Sequence, residues 1–334
     1  MRNLGTRSVK PVGFGCMSLS WGYGAMPEEA DALGLLHAAL DLGYDHLDTA
    51  NIYGLGHNET LIGKALKDRR REYVLATKTG IVIEGPSRGI DCSPDAIRRN
   101  IDASLERLQT DHVDLYYLHR FDPKVPVADM AGAMGELIAA GKIGGYGVSE
   151  WSAAHIREAH AVTPMMAVQT EYSLWSRNPE IAVLDTCREL GITFVAFSPV
   201  ARGVLANGVR DVAALDARDL RRNMPRFNEA NWPTNLALAK AFNAIAAREG
   251  ITPAQLSLGW VLAQGKHIVA IPGTTSPAHL AENIARADWA MPPALAAELG
   301  ALINRHTVAG PRYGSVMQAT IDTEEFPEGS ASHD

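Results

Sequence analysis

Short apolar runs alternate along the chain with longer stretches in which apolar residues recur at helical spacing. The runs are rich in Val, Ile, Leu and Tyr, and they are as short as the strands of buried parallel sheets. They predict strands over residues 44–48, 73–78, 113–118, 143–148, 165–169, 192–197 and 267–271. With a weak unit near the start, the pattern gives about eight strand–helix units, the number that a closed (β/α)8 barrel needs. An open doubly wound sheet is the alternative.

No stretch of the chain is typical of an interdomain linker, so we predict a single domain over residues 1–334. The residues before Pro27 are expected to form a β-hairpin that covers the bottom of the barrel. Residues 199–234 lack periodicity and hold several arginines, which is typical of a functional loop. The polar residues from about 322 to 334 are predicted to form a disordered tail.

Composition and charge exclude several classes of function. Hydrophobic residues make up 46% of the chain and charged residues 21%, which is ordinary for a globular protein, and the net charge of −7 gives no basic surface for nucleic acid. Three cysteines without a CxxC pair argue against a zinc site and favour the reducing cytoplasm. No signal peptide and no apolar run of about 18 residues is found, so no membrane partner is expected.

Polar side chains stand at or just after the ends of the predicted strands. In a parallel barrel these carboxyl-terminal ends form the reactive face. Each side chain alone is readily explained as a helix cap, a solvated group or a structural residue, but several of them converging on one face favours an active site. The residues are Asp48, Lys78, His119, Ser149, Gln169 and Ser198.

Four of the polar groups near this face suit proton transfer to a carbonyl oxygen. Tyr53 is a phenol whose ordinary pKa of about 10 requires help if it is to act as an acid. The ammonium of Lys78 is expected to lower that pKa, and Asp48 to pair with Lys78. His119 is expected to donate to the carbonyl oxygen or to relay a proton. No side chain supplies a hydride, so a cofactor is required.

The residues around Asp48 and Tyr53 resemble the signature of the aldo-keto reductases. Residues 43–54 read GYDHLDTANIYG, and the later blocks follow in the family's order. These blocks are NETLIGKAL at 58–66, TK at 77–78, LHR at 118–120, GVSE at 147–150 and IPGTT at 271–275. The resemblance runs from about Val9 to Trp289. It implies a TIM barrel that reduces aldehydes or ketones with NADPH, without metal or flavin. The catalytic residues it implies are Asp48, Tyr53, Lys78 and His119.

The same resemblance implies a site for the cofactor along the strand ends. Ser149 and Gln169 look like the pair that holds the nicotinamide carboxamide, and Phe197 looks like the aromatic residue that stacks on the nicotinamide ring. The other implied cofactor contacts are Gly15, Cys16, Met17, Asp48, Ser198, Pro199, Arg202, Gly203, Leu205, Gly273, Thr274, Thr275, His279, Glu282 and Asn283.

Two positions depart from the family's pattern. Glu150 stands where many members have Asn, and because a carboxylate can still accept from an amide, we expect the contact to be retained. Residues 273–279 lack the Lys and Arg that many members set against the 2′-phosphate of NADP, and His279 occupies the arginine's position. The hydroxyl groups of this segment and the N-terminus of the following helix still favour an anion. NADP(H) is therefore expected, with NAD(H) as the alternative.

The substrate is expected to be a small carbonyl compound or alcohol. We expect Trp21, Tyr23 and Phe121 to line its pocket together with Tyr53 and His119. Two other functions remain open: an enzyme that acts mainly as an alcohol dehydrogenase, and a cofactor-binding redox-sensor subunit, since some relatives serve channels in that way. Turnover of a simple aldehyde distinguishes an enzyme of either kind from a redox-sensor subunit. A homo-oligomer is also left open.

Overall fold

Eight parallel strands form a nearly closed barrel in the computed structural model, which describes residues 1–84 and 87–327. In chain order the strands are β1 (Arg2–Leu4), β2 (Arg7–Val9), β3 (Phe14–Gly15), β4 (His46–Asp48), β5 (Val74–Thr79), β6 (Ile81–Glu84), β7 (Ser87–Ile90), β8 (Leu115–Leu118), β9 (Tyr146–Ser149), β10 (Ala167–Glu171), β11 (Thr193–Phe197) and β12 (Ile268–Ile271). The barrel uses the order β3-β4-β5-β8-β9-β10-β11-β12. Val12, just before β3, pairs with Ala270 of β12, so the two edges meet and the predicted barrel is confirmed.

Helices surround the barrel and follow its strands. They are α1 (Glu29–Asp41), α2 (His57–Leu66), α3 (Pro94–Leu108), α4 (Val127–Ala139), α5 (Ala153–Val162), α6 (Val183–Leu190), α7 (Trp232–Arg248), α8 (Pro253–Ala263), α9 (Pro277–Ala285), α10 (Pro293–Leu302) and α11 (Ser315–Gln318). Ser93 caps α3 by accepting from the main-chain N–H of Ala96, and Thr252 forms a capping box with Gln255 at the start of α8. Within the described residues, no helix is long and apolar enough to cross a membrane.

The N-terminal hairpin β1–β2 lies at one end of the barrel, as predicted. Leu4 and Val9 are buried, and they belong to one apolar cluster with residues of the barrel strands, among them Val74, Leu115 and Val195. These strand residues lie at or near the beginnings of β5, β8 and β11. The hairpin therefore closes the amino-terminal end, and the carboxyl-terminal end is left for a ligand site.

Several segments at the carboxyl-terminal end were not predicted as regular structure. The hairpin β6–β7 follows β5 directly, and residues 199–234 fold into short 3₁₀ turns at Ala201–Ala206, Leu220–Asn223 and Pro225–Phe227. Residues 322–327, which the sequence places in a disordered tail, contact the barrel: the Asp322 carboxylate accepts from the main-chain N–H of Ser152 at 2.7 Å. Residues 328–334 lie outside the described residues, so for them the disorder stays a prediction.

The packing of α2 against α3 depends on the absence of a side chain at Gly63. A Cβ atom there would press on the main-chain carbonyl of Arg107 and lie 2.8 Å from the carbonyl carbon of Leu108. We therefore expect Gly63→Ala to lower the free energy of unfolding by about 1–3 kcal/mol, the usual cost of overpacking. Helix propensity alone predicts the opposite sign.

Gly34 in α1 is the matched control, because a Cβ atom there meets nothing within 4 Å. Gly34→Ala is expected to leave stability unchanged or to raise it by up to about 1 kcal/mol. Urea unfolding of both variants measures the difference. Equal stability of the two variants would contradict the assigned contact between α2 and α3.

Candidate active site

A cleft of about 1290 Å³ opens at the carboxyl-terminal end of the barrel. Asp48 ends β4, Ser149 ends β9, and Gln169 lies near the end of β10, so the parallel strands bring these side chains to one wall. Tyr53 and His119 come from the loops after β4 and β8 and also line the cleft. The predicted convergence of polar strand ends on one face is thus observed.

A buried ion pair lies behind the cleft wall. Lys78 is completely buried, and its ammonium group donates to Oδ1 of Asp48 and, at 2.7 Å, to the main-chain carbonyl of Thr49. The other carboxylate oxygen of Asp48 accepts from Nε2 of Gln169 at 2.8 Å. Burial alone would lower the pKa of Lys78, but the negative charge of Asp48, together with the interaction with the Tyr53 hydroxyl, outweighs burial and holds this pKa above its ordinary value. Lys78 therefore stays charged in an apolar surrounding.

Tyr53 lies between this ion pair and His119. The Lys78 nitrogen is 5.2 Å from the centre of the Tyr53 ring, and the His119 ring centre is 5.9 Å from it, edge to face. Burial raises the pKa of Tyr53, and the charge of Lys78 offsets only part of that rise. The sequence analysis expected Lys78 to lower the pKa of Tyr53, and Lys78 does contribute in that direction. The pKa is nevertheless raised overall, because the desolvation of the phenolate outweighs the attraction of the ammonium. The phenol is consequently protonated at neutral pH.

His119 is neutral in this site. Burial and the positive charges of Arg120, Lys78 and Arg88 hold the pKa of His119 well below its ordinary value. Its Nδ1 atom is buried and has no hydrogen-bond partner among the described residues. A neutral imidazole beside Tyr53 can donate one hydrogen bond to an oxygen in the cleft, but it is not a source of a proton at neutral pH.

Most of the residues predicted to contact cofactor or substrate line the cleft. They are Gly15, Met17, Trp21, Tyr23, Asp48, Tyr53, His119, Ser149, Gln169, Phe197, Ser198, Pro199, Arg202, Gly203, Gly273, Thr274, Thr275, His279, Glu282 and Asn283. Lys78 is not among them because it lies behind Asp48 and Tyr53.

Three predicted contact residues do not line the cleft. Cys16 is fully buried, and its thiol approaches the carbonyl of Phe14. Leu205 is also fully buried and belongs to the main hydrophobic core. Phe121 stacks on His155 at a centroid distance of 4.1 Å, so it packs against α5. The side chains of these three residues therefore lie outside the cleft lining, and their roles as cofactor or substrate contacts stay predictions.

The cleft has the shape and donor groups that a dinucleotide needs. A Cβ atom at Gly15 would lie 2.7 Å from the carbonyl oxygen of Ile271, and one at Gly273 would lie 2.9 Å from that of Gly15, so two main-chain segments approach closely here. The Ser18 hydroxyl beside them is buried without a partner among the described residues. Ser276 caps α9, whose N-terminus adjoins the cleft residues Thr274 and Thr275. A helix N-terminus of this kind favours phosphate.

The sequence profile of the Aldo/keto reductase family matches residues 11–303. The chain belongs to this family. Aldo-keto reductase yakc (NADP(+)) of Schizosaccharomyces pombe is 40% identical to it over 337 residues, which cover 98% of each chain. The glycerol dehydrogenase AKR11B4 of Gluconobacter oxydans has a TM-score of 0.83 at 27% identity, with 92% of this chain and 95% of that chain covered. The holo form of aldo-keto reductase AKR11C1 from Bacillus halodurans has a TM-score of 0.73 at 30% identity, with 94% and 98% covered.

Glu150, one of the two departures from the aldo-keto reductase pattern, faces away from the cleft. It adopts a positive φ of 61° directly after Ser149. Its carboxylate accepts from the guanidinium of Arg312, with Nη1 at 3.0 Å, and from the Thr323 hydroxyl at 3.0 Å. The expected contact between Glu150 and the nicotinamide amide is therefore not made by this geometry, and Glu150 instead fastens the C-terminal segment to the end of β9.

A second buried carboxylate, Glu171, fastens the same segment from β10. Glu171 accepts from Arg202 at 2.5 Å and from the Tyr313 hydroxyl at 3.0 Å, and it lies 3.2 Å from the Arg312 guanidinium. Arg202 lines the cleft as predicted, but its guanidinium is already bound in this cluster. Its implied role at the cofactor's pyrophosphate stays a prediction.

The sequence analysis missed the part of the cleft wall that comes from β6–β7 and from the C-terminal segment. Five exposed apolar side chains line the cleft, and of these only Trp21 was predicted. They are Trp21, Leu55, Ile83, Val316 and Met317. Three arginines were missed as well: Arg88 on β7, Arg120 after β8 and Arg221 in the loop after β11. The block LHR at 118–120 contains Arg120 and was the available signal for it.

The Glu171 cluster predicts an acid-sensitive contribution to stability. Burial alone would raise the pKa of Glu171, but Arg202, Arg312 and Arg226 together lower it far below the ordinary 4.5. The folded state thus binds fewer protons than the unfolded state, so this stabilisation is present above about pH 4.5 and is lost as the pH falls further. Glu171→Gln is expected to cost about 1.5–3 kcal/mol at pH 7 and less near pH 3.

Urea unfolding of the native chain and of Glu171→Gln across that pH range measures this dependence. Glu189→Gln is the control, because Glu189 is solvent-exposed and pairs only with Arg157 on the surface. A difference between native chain and Glu171→Gln that stays constant from pH 7 to pH 3 would show that the Glu171 charge is not what stabilises the cluster.

Proposed function

We propose that the chain is an NADP(H)-dependent oxidoreductase that reduces aldehydes and ketones to alcohols, with Tyr53 as the general acid. The observation that carries the proposal is the buried Asp48–Lys78 pair directly behind a cleft-facing phenol. An ion pair without solvent contact costs desolvation energy that packing alone does not require. Its position suits the stabilisation of a phenolate that forms when Tyr53 releases a proton.

Each of the four catalytic residues has a distinct task in this proposal. Tyr53 is protonated at neutral pH and donates its proton to the carbonyl oxygen as negative charge develops there. Lys78 stabilises the phenolate left behind, and Asp48 keeps Lys78 charged and oriented. His119, which is neutral, donates a hydrogen bond to the same oxygen and so helps to orient the carbonyl group.

In this proposal the cleft residues hold the cofactor. Ser149 and Gln169 suit the carboxamide of the nicotinamide, and Phe197 offers an apolar face for the ring. When bound, the reduced cofactor supplies the hydride that no side chain can supply. The hydroxyl groups of Thr274 and Thr275 and the N-terminus of α9 support the phosphate-bearing form, NADP(H). The Schizosaccharomyces pombe relative is named as an NADP(+) enzyme, which agrees with this choice.

Oxidation of NADPH, and separately of NADH, with 4-nitrobenzaldehyde tests the proposal. We expect loss of NADPH absorbance and a much slower reaction with NADH. Equal rates with both cofactors would show that residues 273–279 do not select the 2′-phosphate. Tight NADPH binding without turnover of any aldehyde would overturn the reductase function and favour a cofactor-binding sensor.

Alcohol oxidation by the same residues is the second candidate, and the name of the Gluconobacter oxydans neighbour, a glycerol dehydrogenase, favours it. In that direction the Tyr53 phenolate accepts the alcohol proton, and the Lys78 charge favours the phenolate. Rates of glycerol oxidation with NADP⁺ at alkaline pH, compared with aldehyde reduction at neutral pH, decide which direction the enzyme performs more efficiently.

A further inference from the structure

Two arginines that line the cleft, Arg88 and Arg120, have no ion pair among the side chains that the structure describes. The other two cleft arginines are paired, Arg202 with Glu171 and Arg221 with Asp219, whereas Glu282 of α9 lines the cleft without an ion pair among the described side chains. Among the carboxylates whose side chains the structure describes, none forms an ion pair with Arg88 or Arg120. Arg88 is solvent-exposed, but Arg120 is buried, and a buried charge without a partner is costly unless a ligand supplies the partner.

Arg120 is held with part of its guanidinium unused. The residue is only 8% exposed, and its Nη1 donates to the main-chain carbonyl of His119 at 2.6 Å. The Ser149 hydroxyl lies at 3.5 Å from the same nitrogen, and Nε is buried without a partner among the residues that the structure describes. Arg120 is therefore fixed in place beside a catalytic residue, with donors left for a further acceptor.

Arg88 faces the same end of the cleft from the β6–β7 hairpin. The charges of Arg88 and Arg120 both act on His119 and contribute to the low pKa of its imidazole, and the charge of Arg120 also acts on Tyr53. Both arginines line the same cleft as Tyr53 and His119, beside the position that the reacting carbonyl would occupy. Two carboxylates line the cleft: Asp48 is already bound to Lys78 and Gln169, and Glu282 belongs to α9, away from the loop of His119 and from the β6–β7 hairpin in the chain. This end of the cleft carries a positive potential.

We propose that the enzyme selects carbonyl compounds that carry an anionic group, a carboxylate or a phosphate ester, and that Arg88 and Arg120 bind that group. Guanidinium groups suit both anions because their planar N–H donors match two oxygens at once. The exposed apolar side chains Leu55, Ile83 and Val316 at the cleft suit an apolar body that bears the anion. This inference rests on the proposed function and adds the substrate class to it.

Three aldehydes of one shape test the inference in the holoenzyme: 4-carboxybenzaldehyde, 4-formylphenyl phosphate and the uncharged methyl 4-formylbenzoate. We expect kcat/KM for at least one of the charged aldehydes to exceed that for the ester by about 10-fold or more. The charged aldehyde with the higher value identifies which anion the arginines prefer. A charged-to-ester ratio near one for both would overturn the inference while leaving the reductase function intact.

The variants Arg88→Gln and Arg120→Lys show whether these arginines cause the preference. Each is expected to lower the charged-to-ester ratio of kcat/KM by about 10- to 100-fold, mainly through KM. Arg88→Lys, which keeps the charge, should lose less than Arg88→Gln. Arg218→Gln is the control, because Arg218 is exposed and pairs with Asp216 outside the cleft. An unchanged ratio in both cleft variants would overturn the inference.

Two further readouts separate the inference from its competitors. If Arg88→Gln weakens NADPH binding, measured by the fluorescence of bound NADPH, and leaves the ratio unchanged, the arginine serves the cofactor and the inference is wrong. If no aldehyde is reduced, the proposed function is wrong, but anion binding by the two arginines can still be tested. Saturation-transfer NMR then decides the inference: binding of 4-carboxybenzaldehyde over its methyl ester that is lost in Arg88→Gln supports it, and equal binding of the two overturns it.

Discussion

Tyr53→Phe is expected to lower kcat for aldehyde reduction by about 10²- to 10⁴-fold, the usual contribution of a positioned acid. The substitution removes one hydroxyl group and leaves the ring in its place between Lys78 and His119. Because the phenol is the protonated group that faces the cleft, no neighbour replaces it: His119 is neutral, and Lys78 is fully buried behind the wall. Steady-state rates with NADPH and 4-nitrobenzaldehyde measure the loss.

The affinity for NADPH in the same variant distinguishes a lost acid from a damaged site. We expect the dissociation constant, measured by fluorescence, to change little, because the cofactor contacts come from other strands. Tyr73→Phe is the control, since Tyr73 precedes β5 at the opposite end of the barrel and its change should leave kcat as it is. A Tyr53→Phe enzyme within about twofold of the native kcat would remove Tyr53 from the acid role.

Lys78→Met is expected to be the most destabilising of these substitutions, at about 3–5 kcal/mol, and to abolish measurable turnover. Methionine fills a similar volume, but it leaves the Asp48 carboxylate buried with only Gln169 as a side-chain donor. The phenolate of Tyr53 loses the same cation. Urea unfolding and NADPH oxidation measure the two effects, and both should appear in one variant.

The double variant Asp48→Asn/Lys78→Met isolates the cause of the lost stability. With both charges removed, a large part of the stability should return, because a neutral pair leaves no uncompensated buried charge. Activity should stay absent. Lys64→Met is the surface control: Lys64 pairs with Glu29 in solvent, and its loss should leave stability within error. A double variant as unstable as Lys78→Met would indicate lost packing and not a stranded charge.

The barrel and the polar strand ends could be predicted because the signals for them are local. A buried parallel strand is a short apolar run, and the residue at its carboxyl end follows directly in the sequence, as Asp48 and Ser149 do. The direction of a side chain just beyond a strand cannot be predicted in this way, because it depends on contacts with other parts of the chain. His119 faces the cleft, yet Phe121, two positions later, turns outward because it stacks on His155 of α5.

The other differences between the sequence predictions and the structure have two sources. One is contact between residues far apart in the chain, and the other is the balance between opposing effects on a pKa. Glu150 was expected at the cofactor, but its partner Arg312 is 162 positions away, and a positive φ turns the carboxylate toward it. The pKa of Tyr53 depends on how far burial outweighs Lys78, and a sequence shows neither the burial nor the distance. The ion pairs that fasten the C-terminal segment have no motif, so the segment was taken for a polar tail.

The match to the family profile ends at residue 303, but the wall of the cleft does not. Arg312 and Tyr313 are clamped by carboxylates from β9 and β10, and the residues that follow them border the opening. The groups proposed to transfer the proton and this part of the rim thus come from separate lengths of the chain. Exchanging residues 314–327 for those of a relative, with Arg312, Tyr313 and the clamping carboxylates kept, offers a route to new substrates that leaves the proposed proton-transfer residues unchanged.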